Sequence, residues 1–246
     1  MRDVLEQERA DFDQRYATID PAASTPENPF PPAERELWHH NVGDLEGKTV
    51  LDCGAGDGVF SLWLAQQGAT VLSVELSPVG CEKIRESARI HQLDSRVTVL
   101  CADLCDLDSQ LPADSFDLVL GLRVLHHLPA LPFGQALHHV LKPQGVALFC
   151  ENSAKNPLYR LLRAIRNNES PSGAPLTQQK VKVFIDAIGR GECIYPRFAL
   201  FGLMKNYVFR ANPTFARLVD GSDRLIDGIP GTRRWSASMW VRARKN

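Results

Sequence analysis

The sequence predicts an α/β fold, a doubly wound and mostly parallel sheet, and three observations predict it. From Lys48 onward, short β-branched or leucine-rich runs alternate with helical patterns. The runs are continuously apolar, as strands buried on both faces are, and the alternation is what parallel neighbours joined by crossover helices require. A glycine-rich turn then links the first run to a helix, the usual place for a ligand in such a sheet.

Taken in order, TVLDC, ATVLSVEL, RVTVLCA, FDLVLGL and GVALFCE read as five strands, with VFSLWLAQQG, CEKIRESARIHQ and ALHHVL between them as helices. Residues 45–152 form the expected core. Ahead of it, residues 3–16 suit an amphipathic helix, and AERELWHHN a second short one. Between these, Pro21, Pro26, Pro29, Pro31 and Pro32 forbid a helix and leave a lid-like loop, so residues 1–44 read as helices and lid. Residues 153–246 read as helical cap segments plus two late strands. NPLYRLLRAIRNN is helical, and TQQKVKVFIDAIGRG is a helix ending on Gly189 and Gly191. ECIYPRFALFG and RRWSASMWVRAR are the two strands.

Composition narrows the function. The 246 residues carry 28 Lys and Arg against 29 Asp and Glu, without the basic excess of a nucleic-acid binder. No apolar run approaches the roughly eighteen residues of a membrane span. The charged N-terminus lacks the apolar centre of a secretory signal, which makes a cytoplasmic location the expectation. Six cysteines without a paired zinc pattern are expected to be reduced, mostly buried thiols, and no metal is expected.

The most informative segment is Asp52-Cys53-Gly54-Ala55-Gly56-Asp57-Gly58. Gly54 and Gly56 let a ligand approach the main chain, and the helix start beyond offers free N–H groups. The third glycine of a dinucleotide fingerprint is replaced by Val59, which lowers the weight of NAD. Instead, acids recur at successive strand ends: Asp52, Glu75 and Asp103, spaced by 23 and then 28 residues. Ligands lie across the carboxyl ends of such strands, so these carboxylates line one crevice. A carboxylate accepts two hydrogen bonds in a fork, which suits the vicinal hydroxyls of a ribose at Glu75 and an amino group at Asp103.

On these motifs the sequence resembles the class I, Rossmann-like S-adenosylmethionine-dependent methyltransferases of small-molecule type. VLDCGAGDG is similar to the family's first motif, VLSVELS to its second-strand motif and CADL to its adenine-contacting segment. FDLVLGLRVLHHL and VLKPQGVALFCEN resemble the fourth-strand and fifth-strand stretches. The resemblance implies a seven-stranded sheet of order 3-2-1-4-5-7-6 with the last strand antiparallel. It implies S-adenosylmethionine as cofactor, S-adenosylhomocysteine as product, and a site made of Asp52, Gly54, Gly56, Glu75, Leu76, Asp103, Leu104, Gly121 and Leu122.

Methyl transfer from a sulfonium needs alignment and, for a hydroxyl acceptor, a base. His126 and His127 follow the fourth strand and Glu151 the fifth, neighbours in the implied order. His126 assisted by Glu151 is the expected base, with His127 as alternate. Tyr16, Phe30 and Trp38 are candidate substrate contacts at the lid. Arg160, with Arg163 and Arg166 on one helical side, is a candidate for an anionic group. A nucleic-acid amino-methylation signature is absent at Gly121-Leu122-Arg123-Val124, so the expected partner is a small-molecule acceptor, a natural-product, quinone-like or sugar hydroxyl. An N- or C-methyltransferase, or a cofactor-binding protein or cyclase that transfers no methyl, are the alternatives.

Overall fold

The computed structural model describes residues 2–30, 32–153, 155, 176–196, 225–229, 231–236 and 238–246. Helices α1 (Arg2–Ala17) and α2 (Pro32–Val42) precede the sheet. Then come β1 (Thr49–Cys53), α3 (Val59–Gln66), β2 (Thr70–Glu75), α4 (Pro78–Ile90) and β3 (Val97–Cys101). They are followed by α5 (Leu107–Gln110), β4 (Phe116–Leu122), α6 (Ala130–Val140) and β5 (Leu141–Asn152). Helix α7 (Gln178–Ile188), β6 (Arg190–Ile194) and β7 (Ser238–Arg244) complete the described elements.

The seven strands form one sheet in the order β3-β2-β1-β4-β5-β7-β6, the order expected from the resemblance. Strands β3 to β5 are parallel, and β7 runs antiparallel to both β5 and β6. Because side chains alternate along a strand, each strand feeds two cores. Leu51, Val119, Phe149 and Val241 enter one with Phe133 and Phe184 of α6 and α7. Val50, Leu118, Leu148 and Trp240 enter the other with Trp38, Phe60, Trp63 and Ile84. Each such side chain, fully buried, contributes about 1.5–3 kcal/mol.

Three expectations need correction. Gly191 does not end a helix: α7 stops at Gly189, and Gly191 lies within β6, where a side chain would meet the carbonyl of Arg242 on β7. Thr232–Trp235 form a short 3-10 turn, so the last strand starts only at Ser238. The cysteines are free thiols but not mostly buried. Only Cys53 and Cys81 are buried, while Cys101 and Cys193 are exposed because they sit on β3 and β6, the two edges of the sheet. Arg160, Arg163 and Arg166, and the helix expected to carry them, lie outside the described residues. No described helix is long and apolar enough to cross a membrane.

Candidate functional site

Between β1 and α3 the chain turns through Gly54, Gly56 and Gly58 with φ of 66°, 63° and 79°, the left-handed region that glycine enters without steric cost. The N–H groups of Gly54 and Ala55 both donate to the Val74 carbonyl, at 2.8 and 3.0 Å, which ties the loop to β2. Beside this loop lies a cavity of about 430 Å³. Asp52, Gly54, Gly56, Glu75, Leu76, Asp103, Leu104 and Leu122 all line it. Gly121 is not among the lining residues, being set within β4 against the Phe149 ring.

The three strand-end acids are held differently. Glu75 is buried, with Oε2 accepting the Gly56 N–H at 2.9 Å and Oε1 the Ser77 N–H at 3.0 Å. Burial raises its pKa, and these backbone donors oppose the rise. Each oxygen keeps lone-pair capacity beyond its one backbone bond, so the fork can still accept ribose hydroxyls. Asp103 caps the short 3-10 turn Leu104–Asp106, taking the Cys105 N–H at 2.9 Å. Asp52 turns toward α3, where Ser61 Oγ donates to its Oδ2 at 2.5 Å. Burial, opposed by that bond and reinforced by the charges of Glu75 and Asp57, pushes the Asp52 carboxyl up to about 7.

At the ends of β4 and β5 the structure brings His126 and Glu151 together. Arg123, in the left-handed region at φ 56°, reverses the chain after β4, and Leu125–His127 form a 3-10 turn. Glu151 is buried at the end of β5, its Oε1 accepting the Leu125 N–H at 2.7 Å and its Oε2 lying 2.7 Å from His126 Nδ1. An ionised carboxylate only accepts, so Nδ1–H donates and Nε2 is left free to take a proton. His127 lies beside it, the rings tilted with centroids 4.0 Å apart, and both imidazoles line the cavity. Burial, then the neighbouring His126, lowers the His127 pKa.

Helix α1 lies along the same cavity, presenting Leu5, Glu8, Phe12, Arg15 and Tyr16. Asp13 fastens it by accepting from the Ser77 hydroxyl and, at 3.4 Å, from the Val79 N–H. Glu8 Oε1 lies 3.4 Å from His127 Nδ1, and Phe12 meets the same ring edge-on. The Tyr16 hydroxyl is driven upward in pKa by burial first and then by Glu75.

Of the expected substrate contacts, Tyr16 therefore borders the cavity. Phe30 and Trp38 do not. They pack in the core beside α3, ring centroids 5.6 Å apart, with Trp240 and Trp63 against them. Their aromatic bulk fills that core. Glu8, Phe12 and Lys180 were not anticipated. Spacing of four residues through Glu8, Phe12 and Tyr16 signals a shared helix face. Lys180 reaches from α7 to donate to the His126 carbonyl at 2.8 Å, and no local pattern announces a contact across 54 residues. Among the described residues no group of three His, Cys, Asp or Glu could hold a metal.

Residues 51–149 match the methyltransferase domain family. A curated relative named ubiquinone biosynthesis O-methyltransferase, from Pseudomonas paraeruginosa, is 34% identical over 134 residues, covering 53% of this chain and 55% of the relative. The chain thus spans about half the length of the curated relatives it matches. Among solved structures, an S-adenosylmethionine dependent methyltransferase from Mesorhizobium loti aligns at a TM-score of 0.58 and 22% identity, covering 87% of this chain and 98% of that one. A geranyl diphosphate C-methyltransferase from Streptomyces coelicolor, solved with S-adenosyl-L-homocysteine, aligns at 0.63 and 10% identity over 97% of this chain and 98% of its own. At these identities the structural likeness establishes the fold.

Proposed function

We propose that this chain, whose residues 51–149 form a class I, Rossmann-like methyltransferase domain, transfers a methyl group from S-adenosylmethionine to a hydroxyl of a small organic acceptor. The observation that carries the reading is the His126–Glu151 pair, 2.7 Å apart and opening onto the cavity beside the glycine loop. In this reading Glu75 holds the ribose, Asp103 and Leu104 the adenine, and Gly54, Gly56 and Leu122 the methionine end. Helix α1 covers the site.

The bound cofactor supplies an electrophilic methyl on a sulfonium. His126 Nε2 takes the hydroxyl proton as the oxygen attacks, and Glu151 holds the ring in that tautomer and stabilises the imidazolium that forms. The backbone at Leu125 and the Lys180 contact fix the turn that carries the ring. The names of the curated relatives favour a quinone-like hydroxyl.

The test is to incubate the protein with S-adenosylmethionine and a panel of hydroxylated acceptors and to quantify S-adenosylhomocysteine and methylated product. Formation of both, with turnover in His126→Ala lower by at least about tenfold at retained cofactor affinity, supports the reading. Absence of product from every acceptor, or unchanged turnover in the variant, overturns it.

A further inference from the structure

The sheet order divides the charges around the cavity into two halves. Asp52 and Asp57 belong to β1 and its loop, Glu75 ends β2 and Asp103 follows β3, so these carboxylates stand on the β3-β2-β1 side. Arg123, His126 and His127 line the β4-β5 side. The acid of that half is Glu151, which is buried and already occupied by the Leu125 N–H and by His126 Nδ1. Helix α1 spans both halves. Its Arg15 acts at Tyr16 together with Glu75, while its Glu8 reaches His127 at 3.4 Å.

The two arginines of the cavity differ in their surroundings. Arg15 lies where Glu75 and Asp57 also act, since all three charges bear on the Tyr16 hydroxyl, so its guanidinium has carboxylates about it. Arg123 has none. Its backbone N–H donates to the Cys150 carbonyl at 2.8 Å and its φ of 56° is left-handed, which fixes where the side chain leaves the rim, three residues before His126. The side chain is exposed, and among the described residues its guanidinium has no hydrogen-bond or ion-pair partner. Such a group offers a planar fork of donors that matches a carboxylate, and it lines the cavity where an acceptor must stand for His126 to take its proton.

We propose that the acceptor carries a carboxylate as well as its reactive hydroxyl, and that Arg123 holds this carboxylate while His126 faces the hydroxyl. The proposal rests on the methyl-transfer reading and names the acceptor class within it. The cofactor's own carboxylate falls to Arg15, because the methionine end lies at the glycine loop, where the Tyr16 hydroxyl is 3.6 Å from the position of a Cβ on Gly56. One guanidinium is then left for the acceptor. It balances a single negative charge, and Glu8 on α1 opposes a second, which favours a carboxylate over a phosphate monoester carrying nearly two. Arg123 binds and orients in this scheme, and the proton still passes to His126.

The test compares hydroxylated cinnamic and phenylacetic acids with their carboxamides, which keep the shape and lose the charge, at saturating S-adenosylmethionine. Wild type is expected to favour acid over amide by about tenfold or more in kcat/KM, chiefly through KM, and the preference to shrink in about 1 M salt. Arg123→Asn, whose side chain tolerates the left-handed backbone, should bring acid and amide within about threefold, and Arg123→Lys should keep part of the preference. Calorimetric affinity for S-adenosylmethionine should stay within about twofold in both variants. Loss of that affinity in Arg123→Asn would assign the guanidinium to the cofactor and overturn the proposal. So would amides methylated as well as acids by wild type, an outcome that needs no variant. Methylation of neutral phenols or quinols with every acid refused removes the proposal alone, whereas no methylation of any acceptor removes the methyl-transfer reading and the proposal together.

Discussion

His126 and Glu151, 25 residues apart in the chain, meet at 2.7 Å because β4 and β5 are parallel neighbours ending at the same rim. The same carboxylate takes the Leu125 N–H, so one buried group orients both the ring and the turn that carries it. Imidazole orientation at this rim is decided by β5.

Glu151→Gln is therefore expected to lower turnover by about ten- to a hundredfold, since the amide accepts one of the two bonds but brings no charge to stabilise an imidazolium. Stability falls by about 1–2 kcal/mol. Steady-state kinetics beside urea denaturation checks this, and full turnover in the variant would remove Glu151 from the mechanism.

Gly80, in the first turn of α4, faces Tyr16. A Cβ there would lie 2.8 Å from Tyr16 Cδ2 and 3.1 Å from Glu75 Cγ. Gly80→Ala should push α1 from the cavity and lower stability by about 1–3 kcal/mol. Proteolysis within residues 2–30 would accelerate. A variant as resistant and as stable as wild type would mean that α1 accommodates the methyl.

Trp38 has no exposed surface and packs with Phe30 and Trp63. Trp38→Ala is expected to cost about 3–5 kcal/mol in denaturant unfolding. Trp38→Phe, which keeps an aromatic ring in the cluster, should leave the acceptor KM within about twofold. A large KM change in the Phe variant would return Trp38 to the substrate site.

Folded Asp52 keeps its proton up to about pH 7. An unfolded Asp ionises near 3.9, roughly, so between these values the folded state binds more protons. Its contribution to stability is complete below the unfolded value and is lost as pH rises through about 7. Asp52→Asn has no such loss. Its stability relative to wild type should rise from about pH 6 to pH 8 in urea titrations, and parallel curves would show that burial of Asp52 is not felt as a charge.

The fold was legible where apolar runs were unbroken. TVLDC and FDLVLGL coincide with β1 and β4, because each is a mostly apolar run buried on both faces and bounded by polar or turn residues. β5 begins earlier than GVALFCE suggests, since its first residues, Leu141 to Gln144, include a proline and a lysine that mask the strand. The acids at strand ends were legible by position alone. What a helix covers was not: the stripe of α1 is visible in the sequence, yet only tertiary packing sets it on the cavity while burying Phe30 and Trp38 in the core beside α3. Asp52 illustrates the same limit, because alternation along β1 turns its carboxylate toward Ser61.

Strand β7 lies between β5 and β6 although both precede it in the chain. On the ribosome, the ladder edge of β5 that includes Glu151 must wait for Met239, its partner, before it is paired. Until then the nascent chain shows an open edge to its neighbours, the kind of surface that invites pairing with other copies. Translation pauses or truncations upstream of Ser238 are thus expected to yield aggregates, and the rim that holds His126 is among the last parts of the molecule to become rigid.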